Sequence, residues 1–144
     1  MNKMEIELYT FLINGTAALI AGFSMGLERQ VKGKHAGLKT NTLVSLGAAV
    51  FVMISLTFKN ENNTDMTRII GQIVVGVGFL GAGVILHNNS KNKIEGLATA
   101  ATIWCSAAAG CLAGLGEYYV LGGFVLMVII VNSLFGFLNR KISN

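Results

Sequence analysis

Proline is absent from this chain of 144 residues, and Val, Leu, Ile and Ala dominate what is present, which favours helices. A membrane barrel would show ~10-residue segments of alternating polarity instead. Charge is scarce: Asp, Glu, Lys and Arg make up 12% of the chain, against roughly 25% in an average soluble domain. Cysteine appears only as Cys105 and Cys111. Six positions apart on one predicted helix, they lie ~9 Å apart along its axis and on different faces. That is too far for a disulfide, and two such thiols make no zinc site, so they read as small packing residues. There is no G-x-S-x-G elbow, no H-E-x-x-H and no paired intramembrane aspartate. Nor is there an aromatic-interleaved basic module for RNA or DNA. These absences argue against a soluble domain, an enzyme and a nucleic-acid binder.

Long apolar runs take their place. Five stand out, Leu8 to Gly26, Thr40 to Phe58, Ile69 to His87, Leu97 to Gly116 and Tyr118 to Leu138, each close to the ~20 residues a membrane helix needs. The start, MNKMEIEL, lacks the basic region and cleavage site of a secretory signal, so the first run is expected to be retained. The fold expected is all-α: a single polytopic membrane domain over residues 1–144, a bundle of five transmembrane helices.

With five spans, one side carries Lys3, Lys59 and Arg68, and the other Arg29, Lys32, Lys34, Lys39, Lys91, Lys93, Arg140 and Lys141. Cytoplasmic loops are enriched in Lys and Arg, which predicts the N-terminus outside and the C-terminus inside. The net charge of +4 is then a topology signal and a contact with anionic headgroups.

The third run, RIIGQIVVGVGFLGAGVIL, holds Gly71, Gly76, Gly78, Gly81 and Gly83. Glycine in a membrane helix lets another helix come close, which predicts that this helix is central and surrounded by protein. Gly76, Gly78 and Gly81 also spell G-x-G-x-x-G. That fingerprint needs a preceding strand and an acid ~20 positions on, and here it lies in unbroken hydrophobicity. Further close-packing faces are Ala18, Gly22 and Gly26 on the first helix, and Gly110 and Gly114 on the fourth.

Polar residues gather at the inner ends of the runs. Glu28, Arg29 and Gln30 close the first; Lys39, Thr40 and Asn41 open the second, as a simple cap or, with Ser45, pointing into the bundle. Arg68 and Gln72 share one face of the third, facing protein or water, unless Arg68 snorkels to the headgroups. Thr99, Thr102 and Ser106 form a stripe on the fourth. Trp104 either meets the glycine face or faces lipid, and Asn132 on the fifth is placed to contact a neighbouring subunit. His35 and His87 read as a loop and an interfacial residue. Magnesium prefers carboxylate and carbonyl oxygens, which makes Glu28 and Glu95 the candidate metal ligands inside and Glu61, Asp65 and Glu117 a possible collecting set outside.

The runs GLERQ (26–30), AGLKTNTLVSLGAAVF (36–51), RIIGQIVVGVGFLGAGVI (68–85) and GLATAATIWCSAAAG (96–110) resemble the MgtC/SapB membrane family of bacteria. The resemblance implies a five-helix inner-membrane protein linked to growth under low magnesium and, in pathogens, to survival inside macrophages. It implies motif positions at Glu28, Arg29, Gln30, Gly37, Leu38, Thr40, Arg68, Gln72, Gly78, Gly81, Gly83, Thr99 and Trp104. Many relatives read G-L-R-T-H where this chain has Gly37, Leu38, Lys39, Thr40 and Asn41, and lysine cannot copy arginine's bidentate fork. Larger members carry a further soluble domain. Two roles follow: regulation of other membrane proteins, such as the ATP synthase, or passage of Mg2+ through a channel or transporter. Glu28 and Arg29 are expected to form a hub with Thr40, Asn41 and Thr99. No cofactor is expected beyond possible Mg2+. The expected partners are the lipid bilayer, other membrane proteins and a second copy of the chain in a two-fold dimer.

Overall fold

The computed structural model describes residues 3–59, 65, 67–86 and 96–142, with side chains at 4–5, 7–59, 65, 67–85 and 96–134. Among the described residues five helices follow one another: α1 (Lys3–Val31), α2 (Leu38–Thr57), α3 (Thr67–Leu86), α4 (Leu97–Leu115) and α5 (Tyr118–Ile142). The described residues contain no strand. α1 to α4 are long and apolar enough to cross a membrane; the described apolar part of α5, Tyr118–Leu134, is shorter.

Each reversal has a local cause. α4 stops at Gly116, where a left-handed φ of 78° costs glycine little. There the Glu117 amide closes back on the Leu112 carbonyl at 3.0 Å, satisfying a carbonyl the helix end would leave open. α1 runs past its apolar stretch to Val31, and the turn to α2 uses Gly33 at φ 61° and Ala36 at φ 53°. Asp65 caps α3: its Oδ1 accepts from the Thr67 amide at 2.9 Å and from the Thr67 hydroxyl at 2.7 Å.

The centre of the bundle is α4, which touches all four other helices. α3, expected there, lies outside. It rests on α4 and more lightly on α2, and among its described residues only Val77 and Gly81 are buried. Methyl groups added at Gly71, Gly76, Gly78 or Gly83 would meet nothing within 4 Å, and at Gly81 only the Ala100 side chain at 3.4 Å. The physical reason is that small residues admit a neighbour only where a matching backbone arrives. α4 is small on several faces at once, burying Thr99, Thr102, Ser106, Ala107, Ala109, Gly110, Ala113 and Gly114, whereas α3 turns Ile73 and Val77 toward its neighbours.

Close packing instead grips α2. A methyl at Gly22 would stand 2.6 Å from the Asn41 carbonyl oxygen, and one at Gly26 2.8 Å from Leu38 Cα. From α4, Gly110 lies against the Ser45 carbonyl, and a methyl at Gly114 would stand 2.7 Å from the Ala49 carbonyl oxygen. Two glycine pairs at four-residue spacing therefore seat one helix. At the end of the bundle far from Glu28, Asn14 joins three helices: its Nδ2 donates to the Gly114 carbonyl at 3.1 Å, and the Tyr118 hydroxyl donates to its Oδ1.

Candidate functional site

The end of the bundle where α1 finishes and α2 and α4 begin holds a polar cluster. Arg29 is 5% exposed, and its Nη2 donates to the Thr99 hydroxyl. The helical turns either side account for this meeting: Arg29 lies in the last turn of α1 and Thr99 in the first turn of α4. The Glu28 side chain is 10% exposed, and its Oε1 stands 2.5 Å from the ammonium of Lys32, the residue just past the end of α1. That contact is a charge pairing rather than an aligned hydrogen bond, because neither carboxylate oxygen of Glu28 has a hydrogen-bond partner among the described residues. Arg29 Nε is likewise buried without one.

Lys32 extends the cluster to α5, donating to the Asn132 carbonyl at 3.0 Å, while the Asn132 amide reaches the Thr102 hydroxyl at 3.3 Å. Thr102 itself donates to the Ala98 carbonyl at 2.9 Å. A turn further into the bundle, the Ser106 hydroxyl donates to Asn41 Oδ1 at 2.8 Å. Asn41 Nδ2 donates in turn to the Ala36 and Gly37 carbonyls at 2.5 and 2.9 Å. Ser45 donates across to the Ala18 carbonyl of α1 at 2.8 Å. Asn41, Ser45 and Ser106 are completely buried, where an unmade hydrogen bond is costly.

The structure thus brings together Glu28, Arg29, Asn41, Thr99 and Thr102, with Ser45, Ser106, Lys32 and Asn132. Thr40 is half-buried, takes no side-chain hydrogen bond among the described residues, and stands outside the network. Gln30 and Lys39 are exposed; the Gln30 carboxamide lies against Gly37, so closely that a methyl there would strike it. Arg68 and Gln72 are exposed on α3, remote in the chain and in helix position from the cluster. Gln72 borders an apolar groove of about 530 Å³ between α2 and α3, lined by Leu43, Gly47, Phe51, Ile73 and Gly76 among others. Trp104 is 50% exposed and edges a second groove, with Ile70, Val74 and Phe124. Glu95, Glu61, His87, Lys91 and Lys93 lie outside the described residues.

Asn132 was expected to meet another subunit; it is engaged within its own chain, because α5 packs on α1 and α4. Lys32 and Asn14 were missed. Lys32 had a signal, the Glu28–Lys32 spacing of four residues on one helix, which a span ending at Gly26 concealed. Among the described residues no three His, Cys, Asp or Glu side chains gather as a metal site would require. A divalent cation at Glu28 would have to displace the Lys32 ammonium and tolerate Arg29 beside it.

A helical bundle with four membrane-length spans and a buried polar cluster at one end defines a polytopic membrane protein. The sequence matches the MgtC family over residues 16–141. It is 42% identical to Protein MgtC of Salmonella typhimurium over 127 residues, 88% of this chain and 53% of that protein. It is 44% identical over 117 residues to Protein MgtC of Brucella abortus, 81% of this chain and 48% of that one. An uncharacterized protein of Synechocystis is 44% identical over 134 residues, 90% of this chain and 56% of the other. The chain belongs to the MgtC family, and it spans about half the length of the relatives it matches. No solved structure matches it significantly.

Proposed function

We propose that this protein sits in a bacterial inner membrane and supports magnesium homeostasis by binding and regulating other membrane proteins, without enzymatic activity. The magnesium link comes from the family resemblance. The observation that carries the regulatory form of it is the state of Glu28: the acid at the polar end of the bundle is paired with Lys32 and lies next to Arg29 in the chain. Two cations beside one carboxylate make a poor entry for Mg2+, which binds through carboxylates and retained water. Hydrogen bonds that tie α1, α2, α4 and α5 together at this end suit a rigid docking surface better than a pore.

The excess of basic residues on the loops at the Glu28 end argues for placing that end, with the C-terminus, on the cytoplasmic side. A second copy is the proposed neighbour of α3, whose outward face carries Gln72, Phe79 and Gly83, all exposed. An amide is both donor and acceptor, so Gln72 can pair with itself across a two-fold axis. Cross-linking through Gln72→Cys, with Cys105 and Cys111 replaced by Ala, tests this; a monomeric product at all protein-to-lipid ratios counts against the dimer.

The alternative is passive conduction of a cation. Magnesium flux into proteoliposomes, wild type beside Glu28→Gln, separates the two. The regulatory reading expects no flux above empty liposomes from a folded protein, together with rescue of growth at low magnesium in a strain lacking its own copy. Flux that Glu28→Gln abolishes overturns it.

A further inference from the structure

α3 is gripped at one end. Its last turns lie against the start of α4: a methyl at Gly81 would meet the Ala100 side chain at 3.4 Å, and one at Gly96 would stand 3.0 Å from the Val84 carbonyl oxygen. Toward its first turn α3 stands on a narrow ridge instead. Ile73 and Val77 line both the groove on its α2 side, about 530 Å³, and the groove on its α4 and α5 side, about 380 Å³. Along α3 neither groove reaches past Leu80. A helix gripped at one end and open on both flanks at the other is free to tilt about the gripped end.

The two flanks differ in what a tilt would meet. On the α4 and α5 side the walls carry Trp104, Leu112, Leu115 and Phe124, whose side chains stop an approaching helix before its backbone arrives. On the α2 side each wall contributes a glycine, Gly47 from α2 and Gly76 from α3, and a methyl added at either meets nothing within 4 Å. Glycine is less favourable than alanine inside a helix, and in a membrane the loss is recovered where helices approach closely. Gly22 and Gly110 recover it against Ser45 of α2. Gly47 and Gly76 make no such contact in this arrangement.

We propose that α3 is a hinged helix, which tilts about its Val84 end and closes the groove against α2, Gly47 and Gly76 admitting the approaching backbones. The arrangement described above is the open position. Lipid tails are as apolar as the groove walls, so closing gains packing contacts rather than water exclusion, and the two positions differ little in free energy. Phe79 and Gly83, exposed on the outward face of α3, move with it. A neighbour that binds that face better in one position shifts the helix toward it. The inference goes beyond the proposed function and stands whether or not that neighbour is a second copy.

The test uses the full chain with Cys105 and Cys111 replaced by Ala, one copy to each phosphatidylcholine nanodisc. Spin labels are attached through Thr57→Cys in the last turn of α2 and Arg68→Cys in the first turn of α3, both exposed and both at the ends away from Val84. Electron paramagnetic resonance then reads their separation. Two separations are expected, the shorter one belonging to the closed groove. Gly76→Leu fills the groove and is expected to lower the shorter population by about fivefold or more, the least effect of overpacking at a close contact. Gly78→Leu adds the same side chain to α3 outside both grooves and is expected to change it by less than about twofold, as at a surface position. Should Gly76→Leu not fold, Gly76→Ala adds one methyl at the same place and is expected to shift the populations in the same direction. A single separation, as when a lipid chain fills the groove permanently, overturns the hinge. So do equal effects of the Gly76 and Gly78 variants.

Discussion

Gly22 of α1 and Gly110 of α4 press on the same residue of α2, Ser45. A methyl at 22 would stand 2.9 Å from the Ser45 side chain, and one at 110 would strike its carbonyl. The position of α2 therefore depends on hydrogen atoms at two points far apart in sequence. Gly110→Ala is expected to destabilise the fold by about 3 kcal/mol or more, at the upper end of overpacking costs, because the obstacle is backbone and cannot rotate away. Gly78→Ala and Gly83→Ala meet open space and should stay within about 1 kcal/mol of wild type, on the stabilising side that helix propensity predicts. Reversible unfolding in lipid or mixed micelles checks both. A Gly78 variant as damaging as Gly110→Ala would mean that α3 packs more tightly than described.

Asn41 and Ser106 form a second such dependence, polar rather than steric. Asn41 joins the α4 hydroxyl to two carbonyls of the turn before α2. Asn41→Ala strands these groups in a dry interior and is expected to cost about 2–3 kcal/mol, whereas Ser106→Ala should cost about 1. A double-mutant cycle should return a coupling of about 0.5–1.5 kcal/mol; a value near zero would remove this bond from the account of the cluster.

Ala36 holds a left-handed backbone, φ 53°, which costs a residue with a Cβ about 1–2 kcal/mol. Its carbonyl accepts from Asn41, which secures the turn. Ala36→Gly should therefore stabilise the protein by up to about 1 kcal/mol, glycine's extra unfolded-state freedom offsetting part of the gain. A loss of stability on this change would show that the Ala36 methyl, which packs against the core, contributes more than the strain removes.

Asp65 provides a pH-dependent cap on α3. Hydrogen bonds from the Thr67 hydroxyl and amide, with the nearby Arg68 charge, hold its carboxyl below the usual carboxylate range. The folded value being the lower one, the stabilisation is present above the ordinary aspartate range and is lost as pH falls through the depressed value. Carbon shifts of residues 67–70 should report fraying of the first turn of α3 in that acidic window. Asp65→Ala should fray it at every pH; a turn equally helical in the variant would show that the cap is dispensable.

Run length, hydropathy and the absence of proline were enough to specify five helices and their approximate ends, since crossing lipid sets a length and nothing interrupts the backbone hydrogen bonds. The polar residues of the cluster were also legible, because Glu28, Arg29, Asn41, Thr99 and Thr102 are costly groups at the margins of apolar runs. Their pairings were legible only in part: Arg29 meets Thr99, one of the partners expected of it, but Lys32 meets Asn132 across a hundred positions, and no periodicity encodes such a contact. The same limit explains the misplaced centre. Glycine content marks α3 as able to accept a close neighbour, and α4 equally so; which helix receives one depends on whose backbone arrives. Three-dimensional packing seated α2 between Gly22 and Gly110 and left Gly71, Gly76, Gly78 and Gly83 of α3 facing open space, because close approach is a property of two surfaces and a sequence describes each of them singly.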